Sequence, residues 1–327
     1  MGLNKNLQKA QRDKNDEFYT RLEDIENELR HYKHHFKDKV VYCNCDDPRV
    51  SNFFHYFSYN FEHLGLKKLI TTCYQSQERD LFSQHDSEQA IKLEYTGETD
   101  GGKVPKAESI GIEYLNGDGD FRSEECIEFL KEADIVVTNP PFSLFREYVA
   151  QLVEYEKEFL VIGNHNAITY KEVFPLLKEN KMWLGISPRS MFFKLPDGNE
   201  KSVNACWYTN LEHSKRHEEV ILFKRYNEND YPKYVNYDAI EISKVVDIPE
   251  DYSGYMGVPI TFLDKYNPDQ FELIGTSLEL GQPMREIANK GEYMSGGNRF
   301  YIEDEGGKYK YRRLYDRIVI RNKKVRS

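Results

Sequence analysis

The chain has 327 residues and a formal net charge of −10, with 39% hydrophobic and 14% aromatic residues. That length buries a sizeable core and suggests one large or two medium domains, on a prior of about 100–200 residues each. The composition excludes a membrane-spanning chain, since no apolar run approaches the ~18 residues of a span. The acidic balance argues against a generic nucleic-acid coat. The five scattered cysteines (Cys43, Cys45, Cys73, Cys126, Cys206) show neither paired metal-ligand spacing nor a disulfide framework. With no apolar signal core after Met1, the expected location is cytoplasmic.

Residues 1–14 are polar, with four basic groups and one acid. After Asp16-Glu17-Phe18-Tyr19-Thr20, the stripe Leu22, Ile25, Leu29, Tyr32 and Phe36 predicts a helix over about 21–36. Val40–Cys45 reads as a first strand running into Asp46-Asp47-Pro48. A helix with Phe53, Phe54, Phe57 and Phe61 then leads to a second strand, Lys68–Tyr74. Residues 76–108 are polar and charged, and are expected to form an insertion or loose hairpin on the surface. Gly111–Leu115 resumes a strand and enters Asn116-Gly117-Asp118-Gly119-Asp120-Phe121. A helix over about 124–131 precedes the β-branched run Ile135-Val136-Val137-Thr138, which suits a buried strand.

Asn139-Pro140-Pro141-Phe142 stops that strand, because proline gives a ladder no N–H and fixes φ. Helices over 145–155 and 170–179 then alternate with strands at 159–163, 182–186 and 205–209. Such alternation over some 190 residues predicts an α/β fold with a doubly wound, mostly parallel sheet. In these sheets ligands bind beyond the C-terminal strand ends. Three polar clusters fall there: Asp46-Asp47, Asp118–Phe121 and Asn139–Phe142. After about Phe223 the alternation fades, so 1–223 is read as the first domain and 224–327 as an irregular α+β region. From Gly306 to Ser327 that region carries nine Lys/Arg against one acid, a charge bias that permits phosphate contact.

The Asn139–Phe142 corner offers an amide side chain, carbonyl acceptors and a stacking ring. It suits a planar group with an exocyclic amine, such as adenine. Its alternative is a strand-ending turn in which Asn139 caps the next helix. The nine histidines lack ligand spacing, so no metal is assigned.

Taken in order, these clusters resemble the EcoRI-type adenine-specific DNA methyltransferases, within the S-adenosylmethionine-dependent amino-methyltransferases that carry an Asn-Pro-Pro-aromatic corner. The matching stretches are Lys14–Thr20, Val40–Phe54, Gly117–Ser123, Asp134–Phe145 and Gly257–Leu263. The resemblance implies a Rossmann-like methyltransferase sheet with a C-terminal target-recognition region. It also implies N6-methylation of adenine in a short duplex DNA site, as part of a restriction–modification system, by a monomer. Two departures stand out. Asp47–Phe53 contains no glycine where related enzymes have a Gly-rich loop, and Thr71-Thr72-Cys73-Tyr74 has no acid for the cofactor ribose.

On this reading Asn139 Oδ1 and the Pro140 carbonyl accept the N–H groups of the target amine, an electrostatic device. Pro141 stiffens the corner, and Phe142 stacks on an adenine flipped from the duplex. Phe192 or Phe193 takes the other face, with Phe193 the choice. Phe18, Tyr19 and Thr20 meet the methionine part of the cofactor, and Asp46 or Asp47 also contacts it. Asp118 or Asp120 accepts from its adenine, with Phe121 against the ring. Arg312, Arg313, Arg317 and Arg321 are the candidates for phosphates or guanine edges. Two rivals remain: methylation of an RNA amine or protein amide, and a catalytically idle DNA- or cofactor-binding protein.

Overall fold

The computed structural model describes residues 19–75, 89–101, 103–187, 191–194, 200–297 and 299–325. Phe18, the basic residues among 1–14, residues 76–88 and Arg326 lie outside them. The chain divides into two compact units. One runs to Asn166 and resumes at Trp183–Glu212; the other comprises Ala167–Met182 and the chain from His213 onward.

The first unit begins with β1 (Tyr19–Thr20) and α1 (Leu22–Leu29). Ile25, Leu29, Tyr32 and Phe36 of the predicted stripe are all fully buried. The helix nevertheless stops at Leu29, and a 3₁₀ turn at Lys33–His35 continues the stripe. Strand β2 (Val40–Asn44) leads to α2 (Asn52–Tyr59), whose start is fixed by Ser51: its hydroxyl accepts from Phe53 N at 3.2 Å. Next come β3 (Lys68–Cys73), β4 (Ile91–Tyr95), β5 (Ile112–Tyr114), α3 (Glu124–Glu132), β6 (Ile135–Thr138), α4 (Phe145–Glu154) and β7 (Glu158–Asn164). The unit closes with β8 (Trp183–Leu184), β9 (Met191–Lys194), β10 (Glu200–Val203) and β11 (Ala205–Thr209).

Eight strands form one sheet in the order β5-β4-β3-β2-β6-β7-β11-β8. The four central strands, β3, β2, β6 and β7, are parallel, whereas both flanks are antiparallel. The sheet is therefore mixed, and the Rossmann-like α/β architecture holds at its centre. The segment 76–108 departs from the surface-hairpin expectation, because β4 is a full sheet member paired with β3. Ile91, Leu93 and Tyr95 are buried, alternating with half-buried Lys92 and Glu94. A period-two strand was masked by its own polar face and charged flanks. A second sheet, β1-β9-β10, pairs Thr20 with Phe193.

The second unit contains β12 (Ile240–Glu241), β13 (Met256–Pro259), β14 (Phe271–Thr276), β15 (Tyr301–Glu303), β16 (Tyr311–Arg313) and β17 (Arg317–Asn322). Four of them form a sheet ordered β12-β13-β17-β14, and β15-β16 is a separate two-stranded ribbon. Tyr234, Ala239, Phe300, Leu314 and Val319 make a core cluster of this unit. Gly257, within one of the matching stretches, has a local packing reason. A Cβ there would lie 2.0 Å from Tyr234 Oη. No described helix is long and apolar enough to cross a membrane.

Candidate active site

Because β2, β3, β6 and β7 run parallel, Asn44, Cys73, Thr138 and Asn164 all end at one sheet edge. The corner after β6 stands on that edge. Asn139 and Pro140 are buried, while Pro141 and Phe142 are half-buried. The Pro141 carbonyl is used locally, accepting from Leu144 N at 3.0 Å to start the turn into α4. The Pro140 carbonyl accepts no hydrogen bond from the described residues, which leaves it available as an acceptor.

The corner is tied to the β2 end by residues that motif reading did not single out. The Thr138 hydroxyl donates to the Asn44 carbonyl, and Tyr148 Oη of α4 donates to Asn44 Oδ1 at 2.5 Å. Burial pushes the Tyr148 phenol well above its ordinary pKa, so it stays a neutral donor. Its ring meets Phe121 edge-on, with centroids 5.0 Å apart. Gln151 of α4 also donates to the Phe121 carbonyl at 3.1 Å. One helix thus holds the Asp118–Phe121 cluster against the end of β2.

Gly119 presses that cluster onto β3. Its φ is +78°, and a Cβ there would sit 2.3 Å from the Cys73 carbonyl oxygen. Asp118 Oδ1 accepts from Asp120 N at 3.0 Å. The Asp120 carboxylate is gripped by Arg122 through its main-chain N (2.8 Å), Nε (2.9 Å) and Nη2 (2.6 Å). These bonds hold the Asp120 carboxyl below its ordinary pKa. Arg122 reaches on to Glu147 at 2.8 Å.

The two acids after β2 differ sharply. Asp47 is buried and is clamped by the Arg49 guanidinium and main-chain N. Asp46 is half-buried, and its carboxylate is approached by the Ser51 hydroxyl at 3.4 Å. The missing glycine also has a substitute. Cys45, the first residue past β2, has φ +85°, the region glycine normally supplies.

Thr20 joins the same edge, since its carbonyl accepts from Asn52 Nδ2 at 2.8 Å at the start of α2. Its side chain is 2% exposed, and Oγ1 has no hydrogen-bond partner among the described residues. Tyr19 lies beside it in β1, paired with Lys194. Phe193 is fully buried and meets Phe142 edge-on, with centroids 6.4 Å apart and planes at 84°. That is the packing of two core rings rather than two parallel plates. Phe192 is the exposed neighbour, and Arg21 lies over its ring.

The four C-terminal arginines separate by environment. Arg317 is buried, and its guanidinium bonds Glu241 at 2.7–3.2 Å. Burial opposes its charge, but Glu241 holds its pKa above the ordinary value. It braces β17 against β12 and does not face solvent, contrary to the expectation of DNA contact. Arg321 pairs with Glu272 across the β17–β14 ladder at 2.5 Å. Arg313 donates to the Gly296 carbonyl at 2.5 Å. Arg312 is exposed, with Asp304 at 3.9 Å. Among the described residues no cluster of three or more His, Cys, Asp or Glu could hold a metal ion.

Comparison with known proteins follows the same outline. The family described as "Adenine-specific methyltransferase EcoRI" matches residues 6–323. The chain is 53% identical to Type II methyltransferase M.EcoRI of Escherichia coli over 291 residues, 83% of this chain and 89% of the relative. It is 40% identical to Type II methyltransferase M.MgeORF184P of Mycoplasma genitalium over 289 residues, 81% of this chain and 84% of that one. Type II methyltransferase M.MpnI of Mycoplasma pneumoniae is 40% identical over 287 residues, again 81% and 84%. No solved structure matches the chain.

Proposed function

The chain belongs to the EcoRI-type adenine-specific methyltransferase family, and from that premise we propose how its own residues act. It is a DNA adenine methyltransferase of a restriction–modification system, using S-adenosylmethionine as its class does. The target is the N6 amine of an adenine flipped from a short duplex site. The observation that carries this reading is the convergence of Thr20, the Asp46 loop, the Asp118–Phe121 cluster and the Asn139 corner on one sheet edge.

Adenine N6 is a weak nucleophile because its lone pair is delocalised into the ring. Asn139 Oδ1 and the Pro140 carbonyl accept its two N–H groups, which favours a more tetrahedral nitrogen and frees the lone pair. Two fixed acceptors also stabilise the positive charge that develops there during transfer. No general base is required, since the proton leaves an acidic, ammonium-like nitrogen afterwards. Pro141, with its carbonyl engaged by Leu144, keeps the corner rigid. Phe142 stacks on the target base, repaying part of the few kcal/mol that flipping costs. Phe193, edge-on to Phe142, fixes the plane of that ring.

S-adenosylmethionine, when bound, supplies a sulfonium methyl as the electrophile. The residues present fit it. A buried Thr20 hydroxyl without a partner among the described residues is a ready polar contact for its methionine part, and Phe18 and Tyr19, which precede it in sequence, keep the role the family resemblance implies. Asp46 is the better-placed acid after β2, because Asp47 is committed to Arg49. Asp118 or Asp120 would accept from the cofactor's adenine, with Asp118 favoured because Asp120 is held by Arg122, and Phe121 would form the apolar wall. The protein acts as a monomer in the cytoplasm.

Labelled methyl transfer to duplex DNA, followed by mapping of the modified base, tests the reading. N6-methyladenine at one short site is expected. N4-methylcytosine, or transfer only to RNA or protein in a competition assay, would overturn it. Asn139→Ala should lower the transfer rate by about 10²–10³-fold while calorimetric titration still shows cofactor binding. An equal rate in both proteins would leave only the idle, cofactor-binding alternative.

A further inference from the structure

The proposed function leaves open which side chain reads the DNA sequence, and the second unit narrows that choice. Three of the four described arginines of the basic C-terminal segment are committed to the protein itself: Arg317 to buried Glu241, Arg321 to Glu272 and Arg313 to the Gly296 carbonyl. Arg312 and Arg321 are about equally exposed, at 50% and 48% of the side chain, but among the described residues Arg312 alone of the four makes no side-chain hydrogen bond. Its side chain is half exposed, and the nearest acid, Asp304, lies at 3.9 Å, beyond hydrogen-bond reach. An exposed pair at that distance contributes little and is easily exchanged for another partner.

The scaffold suits groove reading. Arg312 is the central residue of β16, opposite Ile302 in the β15–β16 ribbon, whose outer edges are hydrogen-bonded to Val235 and to Glu292–Met294. A two-stranded ribbon is one of the two elements that the major groove of B-DNA admits. The connecting turn carries Lys308 and Lys310, both exposed and each over a neighbouring tyrosine ring. The ribbon therefore presents one planar fork on a strand and, on a turn that also carries Asp304 and Glu305, two compact point charges. A fork matches the O6 and N7 acceptors of guanine, whereas point charges match phosphates.

Resting on the DNA-methyltransferase reading, we propose that Arg312 reads a guanine edge in the recognition site, with Lys308 and Lys310 on adjacent phosphates. The test uses the full chain and duplex oligonucleotides carrying its mapped site, or that site with one base pair replaced at a time. Arg312→Lys keeps the charge but loses the fork. It should reduce discrimination at one G·C position by about 10- to 100-fold, leaving discrimination elsewhere and the salt dependence of binding unchanged. Lys308→Gln/Lys310→Gln should weaken binding to every sequence alike and flatten the salt dependence. Arg321→Lys serves as the control and should change neither.

Full discrimination retained at every position by Arg312→Lys would overturn the assignment, as would a uniform loss across sequences. Cofactor titration of the Arg312→Lys protein separates these outcomes from misfolding. Wild-type transfer without any site preference would overturn the underlying functional reading, and this assignment with it.

Discussion

At the scale of single residues, the site depends on a few positions whose chemistry the backbone dictates. Cys45 is the clearest. The turn after β2 needs a positive φ, and a non-glycine residue in that region costs roughly 1–2 kcal/mol. Its thiol has a weak contact with Asn44 Oδ1 at 3.5 Å. Replacing Cys45 by Gly should leave urea stability within about 1 kcal/mol of wild type, because conformational relief and the added freedom of the unfolded chain oppose each other. Cys45→Val should lose about 1–3 kcal/mol, since a β-branched residue is strongly disfavoured there. Equal stability of the Val and Gly variants would refute this account. The absence of a Gly-rich loop was legible in the sequence. That a cysteine takes over its conformational task was not, because φ follows from how the chain must leave β2.

At the scale of elements, the network of Arg317, Glu241 and Tyr234 shows how a sequence motif can mislead. Nine basic residues near the C-terminus read as one charged patch. Yet β17 places Arg317 inward, on Glu241 of β12, with the Tyr234 hydroxyl on the same carboxylate. Arg317→Met should cost about 3–5 kcal/mol by stranding a buried carboxylate, and the double variant Arg317→Met/Glu241→Leu should recover much of it. Denaturant midpoints with unchanged slopes would check both. A double variant no more stable than the single one would contradict the argument. Strand β4 gives the converse lesson. Its alternation was present in Ile-Lys-Leu-Glu-Tyr, but only pairing with β3 and β5 gave its polar side chains partners, such as Lys92 with Glu113 at 3.0 Å.

At the scale of the whole molecule, acid stability follows from carboxylates held by cations. Arg122 lowers the pKa of Asp120 through hydrogen bonding. At Glu94 burial opposes ionisation, but Lys68 and Lys92 outweigh it and the net shift is again downward. Groups with depressed folded pKa values contribute stability that is present above their ordinary values, near 4, and is lost as pH falls through the folded values. The thermal midpoint should therefore be flat from about pH 6 to pH 5 and decline below about pH 4. The Arg122→Ala variant should show a shallower decline in that window. An identical acid limb in both proteins would remove Asp120 from the explanation.

The sequence by itself determined the α/β class, the order of the clusters, the Asn-Pro-Pro-Phe corner and the family. Those are properties of period, proline and local spacing, and local rules carry them. Tertiary structure decided which of the paired candidates is available. It committed Asp47 to Arg49 and Arg317 to Glu241, turned Phe193 edge-on to Phe142, and left the Pro140 carbonyl and the Arg312 side chain without a hydrogen-bond partner among the described residues. Availability depends on neighbours distant in sequence, through burial and competing hydrogen bonds, and no local pattern encodes it.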